Sequence, residues 1–178
     1  MEFFNQIVSV AVTFIQNNHQ WAAPVAFAVA FAESLAFLSL IFPGSAILVA
    51  ASLLIGASNI SFWPIWLAAG LGGSLGYAVS YWIGVYFKND LPHMWPFRNA
   101  PEMLPKGHKF FERWGVLSVF FGHFFGPVRA VIPVVAGVVQ MPHLHFQMAN
   151  ISSAFLWSLG VMAPGAFGIK WLPPGLLG

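Results

Sequence analysis

Residues 115–139 form an almost wholly apolar stretch with one permanent cation, Arg129, near its centre. An unbroken apolar run of this length would cross a bilayer as a single helix. Here Gly126 and Pro127 interrupt the run and Pro133 makes a second break, so a broken or re-entrant segment is expected. The guanidinium cannot shed its charge. At the centre of a bilayer it costs at least ~3 kcal/mol by insertion scales. A chain that keeps an arginine there is expected to use it.

The rest of the composition places the whole chain in the same medium. Hydrophobic residues make up 58% of the 178 positions and charged residues only 7%. Soluble domains carry roughly a quarter charged residues, so this chain cannot cover a surface facing water. It reads as an integral membrane protein. The net charge of +2 is too small to argue for nucleic acid, and no basic run with interleaved aromatics supports it. Without cysteine there is no disulfide, thiol chemistry or thiolate metal site. The start, Met1-Glu2, lacks the basic region and cleavage site of a signal peptide, so the first spans are expected to stay in the mature protein.

Taken in order, residues 1–19 hold an amphipathic helix over about 3–16, either lying in the interface or packed as a cap. Residues 21–40 are apolar with one charge, Glu33, and Phe42-Pro43-Gly44-Ser45 interrupts them. The arm that follows, 46–55, is too short to cross a ~30 Å core, which predicts a re-entrant hairpin over 31–56 with its tip near Pro43 and Gly44. Residues 61–87 predict a full transmembrane helix, with Gly70, Gly73, Gly76, Ser80 and Gly84 as a close-packing stripe. Eight of the twelve charged residues fall in 88–113. That stretch reads as a cytoplasmic loop by its excess of cations, ending in a short helix near 106–114. A second re-entrant hairpin is expected over 115–140, a last helix over 144–169 and a short tail over 172–178. Each half thus has a broken segment followed by a long helix. The fold class is an all-α membrane protein with two re-entrant hairpins and transmembrane helices in an inverted-repeat arrangement, a transporter plan over residues 20–171.

Outside the loop and the extreme ends, only Glu33 and Arg129 are charged, one beside each break. Opposite charges in hydrocarbon should meet, as a lock between the halves or around a wet cavity. In the functional reading Arg129 binds an anionic headgroup and Glu33 takes up a proton or balances it. Pro127 would open a helical arm over 128–139 whose N-terminus, with the backbone at Gly126, favours phosphate. Ser45 would cap the returning arm or offer its hydroxyl to the cavity. His123 is either a proton carrier or a buried, hydrogen-bonded ring. His143 and His145 have no third ligand nearby, so neither metal nor cofactor is expected. No nucleophile motif is present, so no enzyme is expected.

The block Gly122-His123-Phe124-Phe125-Gly126-Pro127-Val128-Arg129, followed by Pro133, Ala136 and Gly137, resembles the signature of the DedA family, also called the SNARE-associated or VTT-domain membrane proteins. Glu33 with Phe42-Pro43-Gly44, the helix from Gly73 to Tyr81-Trp82-Ile83-Gly84, and Asn150 ahead of Trp157 extend the resemblance over about 20–165. The departures are His123 in place of an arginine, Ser45 and Tyr77 in place of acids, and the reversed order of Gly126 and Pro127. The resemblance implies two facing re-entrant hairpins in a bacterial inner membrane. It also implies movement of a phosphate-bearing lipid, such as undecaprenyl phosphate or a phospholipid, between leaflets, with Glu33 and His123 as the groups open to proton coupling. The rival reading is a structural or assembly protein, oligomeric in form, whose Glu33–Arg129 pair only locks the fold.

Overall fold

The computed structural model describes residues 18–36, 38, 44–57, 60–90, 93, 98–99, 101–125 and 129–168, together with 6, 10, 13 and 14. The expected N-terminal helix and the tail over 172–178 therefore fall largely or wholly outside the described residues, as do the hairpin tip at Pro43 and the break at Gly126 and Pro127.

Every described element is helical. A 3-10 turn, His19–Trp21, leads into α1 (Ala22–Ser34), and α2 spans Gly44–Ala57. The long helix α3 (Phe62–Phe87) follows, then α4 (Met103–Trp114), α5 (Val116–Gly122), α6 (Ile132–Val138) and the second long helix, α7 (His143–Gly168). Helix α1 thus starts where the apolar run over 21–40 is expected, and α4 starts earlier than 106. Of the arm expected over 128–139, α6 supplies the seven residues Ile132–Val138, Arg129 is also helical, and residue 128 lies outside the described residues. Pro133 lies in its first turn, where a missing N–H leaves no bond unmade. The second proline therefore starts a helix instead of breaking one.

The two long helices run antiparallel. Phe62 packs on Phe167, the Trp66 indole donates to the Phe155 carbonyl at 3.1 Å, and Tyr81 stacks on Phe146. At 26 residues each, they are about 39 Å long at 1.5 Å per residue, enough to cross a bilayer. His143–Gly168 meets the requirement in hydropathy as well as length, and Phe62–Phe87 contains no charged residue.

Helix α1 lies along α3 through an i, i+4 row of small residues. A Cβ on Gly72 would strike the Phe27 carbonyl, and one on Gly76 would come within 2.6 Å of the Phe31 carbonyl oxygen. Ser80 sits next in the row. Its hydroxyl donates to the Gly76 carbonyl at 2.8 Å and accepts from Ala36 N–H at 2.9 Å. That contact holds the backbone just past the end of α1. Gly84 completes the row against α6, where a Cβ would strike the Val134 carbonyl. The seam is thus 72-76-80-84; Gly70 and Gly73, expected within it, stand beside it, Gly70 against the Phe155 ring.

Two further joints position the site. Helix α6 closes with the left-handed residue Gln140 (φ 54), while Met141 N–H reaches back to the Ala136 carbonyl at 3.0 Å. This six-to-one bond is the Schellman pattern, with glutamine where glycine is usual. Gly115 (φ 52) is the single residue between α4 and α5, in a backbone region open mainly to glycine.

Polar side chains are buried among the apolar core, while long rows of apolar side chains are exposed. Trp63, Leu67, Leu71, Leu75, Val79, Trp82 and Tyr86 line the exposed side of α3. Ser80, Ser118, Asn150, Ser153 and Ser158 are buried. Such an apolar exterior suits lipid, because soluble proteins rarely expose contiguous apolar patches beyond a few hundred Å².

Candidate functional site

The end of α1, the start of α2 and the turn carrying Arg129 meet beside the middle of α3. Glu33 and Ser34 end α1 next to Gly73, Gly76 and Ser80. Gly44 opens α2 directly under the Glu33 side chain, which overlaps the place a Cβ would occupy. Only glycine lets the carboxylate settle there.

Glu33 and Arg129 form an ion pair at 3.1 Å, through Oε1 and Nη1. They are 7% and 5% exposed. The second guanidinium nitrogen donates to Ser34 Oγ at 3.0 Å, and the plane lies over the Trp157 ring, 4.0 Å from its centroid. Ser45 donates its hydroxyl to the same Glu33 oxygen. The cation is therefore held by a carboxylate, a hydroxyl and an aromatic face from two helices. Burial of an unpaired charge would be prohibitive, and this set of partners offsets it.

His123, directly after α5, is 1% exposed. Its ring stacks on Tyr77 at 3.9 Å between centroids and lies 5.9 Å from Trp157. Its Nδ1 bonds Ser153 Oγ at 3.0 Å, while Asn150 from the same helix donates to the Ser74 carbonyl at 2.8 Å. Trp157 thus touches both Arg129 and His123 and joins the two polar groups. Five buried polar atoms here have no partner among the described residues: Glu33 Oε2, Arg129 Nε, His123 Nε2, Tyr77 Oη and Asn150 Oδ1. Buried polar atoms are nearly always satisfied, so a cluster of five marks a place built to meet something polar.

The structure brings together Glu33, Arg129, Ser45 and His123 from the sequence reading. Gly126 and Pro127 lie outside the described residues. The helix N-terminus expected at Pro127 lies outside them too, while Arg129 is itself helical, with its N–H on the Phe125 carbonyl at 2.8 Å, and α6 follows from Ile132. Sequence reasoning left Ser34, Tyr77, Ser153 and Trp157 out of the site. The one available signal was that each carries a hydrogen-bonding or cation-binding group within an otherwise apolar helix. No group of three or more His, Asp or Glu that would hold a metal occurs among the described residues.

The family model for the VTT domain matches residues 42–167. The Escherichia coli (strain K12) inner membrane protein YabI is 34% identical over 153 residues, covering 85% of this chain and 60% of its own. An uncharacterized membrane protein of Buchnera aphidicola subsp. Acyrthosiphon pisum is 33% identical over 86% of this chain and 60% of its own. One from Mycobacterium tuberculosis (strain ATCC 25618 / H37Rv) is 31% identical over 68% of this chain and 58% of its own. The chain thus spans about three fifths of the length of these relatives. No solved structure matches it.

Proposed function

The chain belongs to the VTT-domain, or DedA, family of membrane proteins, and from that premise we propose that it moves a phosphate-bearing lipid between leaflets. The observation that carries this reading is the Glu33–Arg129 pair, buried beside the middle of two bilayer-length helices and left with Nε and Oε2 unpartnered. A guanidinium presents several donors and suits phosphate. In this reading a headgroup replaces Glu33 as the partner of Arg129 while the acyl chains stay in the bilayer. Glu33, released, takes a proton or turns to Ser45, and His123 is the second group open to proton coupling. The halting of α1 and the start of α2 beside mid-α3 support a re-entrant first hairpin. The short α5 and α6 on either side of Arg129 support a second, related to the first by inversion. No chemical conversion of the lipid is part of this proposal, nor is any cofactor. A homo-oligomer is compatible with it.

Arg129→Lys keeps the charge and removes the fork, and Glu33→Gln keeps the shape and removes the charge. Both are expected to lose lipid transfer in proteoliposomes while still eluting as folded protein. Full transfer by both variants would overturn the reading.

One observation favours a structural lock: the guanidinium is closed in by Trp157 as well as by its ion pair. The exchange Glu33→Arg with Arg129→Glu separates the two. Recovery of folding together with activity indicates a lock, and recovery of folding alone indicates a site.

A further inference from the structure

Gly73 differs from its neighbours on α3. A Cβ at Gly76 would come within 2.6 Å of a carbonyl oxygen, and one at Gly72 would also strike backbone. A Cβ at Gly73 would sit in ordinary contact, 3.5 Å from Ser34 Oγ, 3.6 Å from Ala154 Cβ and 3.9 Å from His123 Nε2. The missing side chain therefore leaves a small cradle. Two of its three nearest walls are polar, and one is the unpartnered nitrogen of a histidine that is 1% exposed.

The hydrogen bonds around the cradle have a direction. The Ser153 hydroxyl lies 3.0 Å from both the Asn150 carbonyl and His123 Nδ1. With its one proton on the carbonyl, which can only accept, it accepts in turn from His123. In that arrangement neutral His123 carries its proton on Nδ1 and leaves Nε2, beside Gly73, as a bare acceptor. On the other side, Arg129 donates to Ser34 Oγ at 3.0 Å. The Ser34 proton has no acceptor among the described residues. A donor and an acceptor therefore face the same cradle, each lacking its complement.

We infer that Gly73 holds a structural water that accepts from Ser34 and donates to His123 Nε2. A water in such a place needs two to four polar partners, and these are two. It completes a file in which every donor points the same way: Arg129 to Ser34, Ser34 to water, water to His123, His123 to Ser153, and Ser153 to the Asn150 carbonyl. The Glu33–Arg129 pair and the His123 group then form one connected unit across four segments of the chain. The site belongs to this chain's own residues and stands whether or not the protein moves lipid.

The test is nitrogen-15 NMR of histidine side chains in bilayer-embedded protein near about pH 8, where an ordinary histidine is neutral. His123→Asn identifies the signal. The wild type is expected to show the Nδ1–H form of His123, with Nε2 in contact with water protons. In Gly73→Ala the methyl group takes the water's place, and that contact disappears. In Gly73→Ser the hydroxyl takes over both partners: the Nδ1–H form stays and the melting temperature exceeds that of Gly73→Ala. An Nε2–H form in the wild type, no water contact there, or a contact unchanged in Gly73→Ala would each overturn the inference. So would a serine variant less stable than the alanine one, which is the order expected if Gly73 serves only close packing. Should Gly73→Ala not fold, the wild-type form and its water contact decide alone.

Discussion

At the scale of single residues, the ion pair follows from what hydrocarbon does to charge. Removing one partner strands the other, at a typical cost of about 3–5 kcal/mol, whereas replacing both by apolar groups is often neutral. Glu33→Ala is therefore expected to destabilise the fold by about that amount, because among the described residues Arg129 keeps only Ser34 and the Trp157 face. Adding Arg129→Met should return most of the loss. Chemical unfolding in micelles measures both, and a double variant less stable than the single one would contradict the argument. The pair itself was legible in the sequence, because two lone charges in apolar surroundings have little choice but each other. The partners around it were not. Ser34 neighbours Glu33 in the chain but lies 95 positions from Arg129, and His123 and Ser153 stand 30 apart. Small polar residues at such separations look like ordinary helix surface until the helices are in register.

At the scale of elements, glycine decides how near the helices come. Gly84 and Gly137 face each other where α3 crosses α6, and a Cβ on either would strike the other helix's backbone. Gly84→Ala and Gly137→Ala should each destabilise by about 1–3 kcal/mol through overpacking. Gly160, inside α7, has nothing within 4 Å of its Cβ position. Gly160→Ala should therefore be neutral or gain up to about 1 kcal/mol from helix propensity. Thermal melts of the three variants give the comparison, and equal behaviour would show that the seam does not limit approach. The long helices were legible from length and apolarity, and the small-residue face of α3 from its composition. Which glycines form the seam was not, because rows three and four residues apart are both geometrically allowed on a helix and only the partner selects one. The point at which α1 stops was equally hidden, since Ser80, which holds it, arrives from 46 residues downstream.

At the scale of the whole molecule, the exposed apolar surface identifies the solvent. Trp63 and Trp82 are exposed toward the two ends of α3, while Trp157 is buried against Arg129 and His123. In variants retaining one tryptophan each, brominated acyl chains should quench Trp63 and Trp82 strongly and Trp157 weakly. Quenching of Trp63 and Trp82 by aqueous iodide in preference to brominated lipid would place the exterior in water and remove the membrane assignment of α3. A smaller feature has reach on this scale as well. Helix α4 carries Lys106, Lys109, Glu112 and Arg113, rests Phe110 and Phe111 on the core, and joins α5 through Gly115. Only the seven residues of α5 then separate that joint from His123. A force on the charged helix thus has a short path to the imidazole.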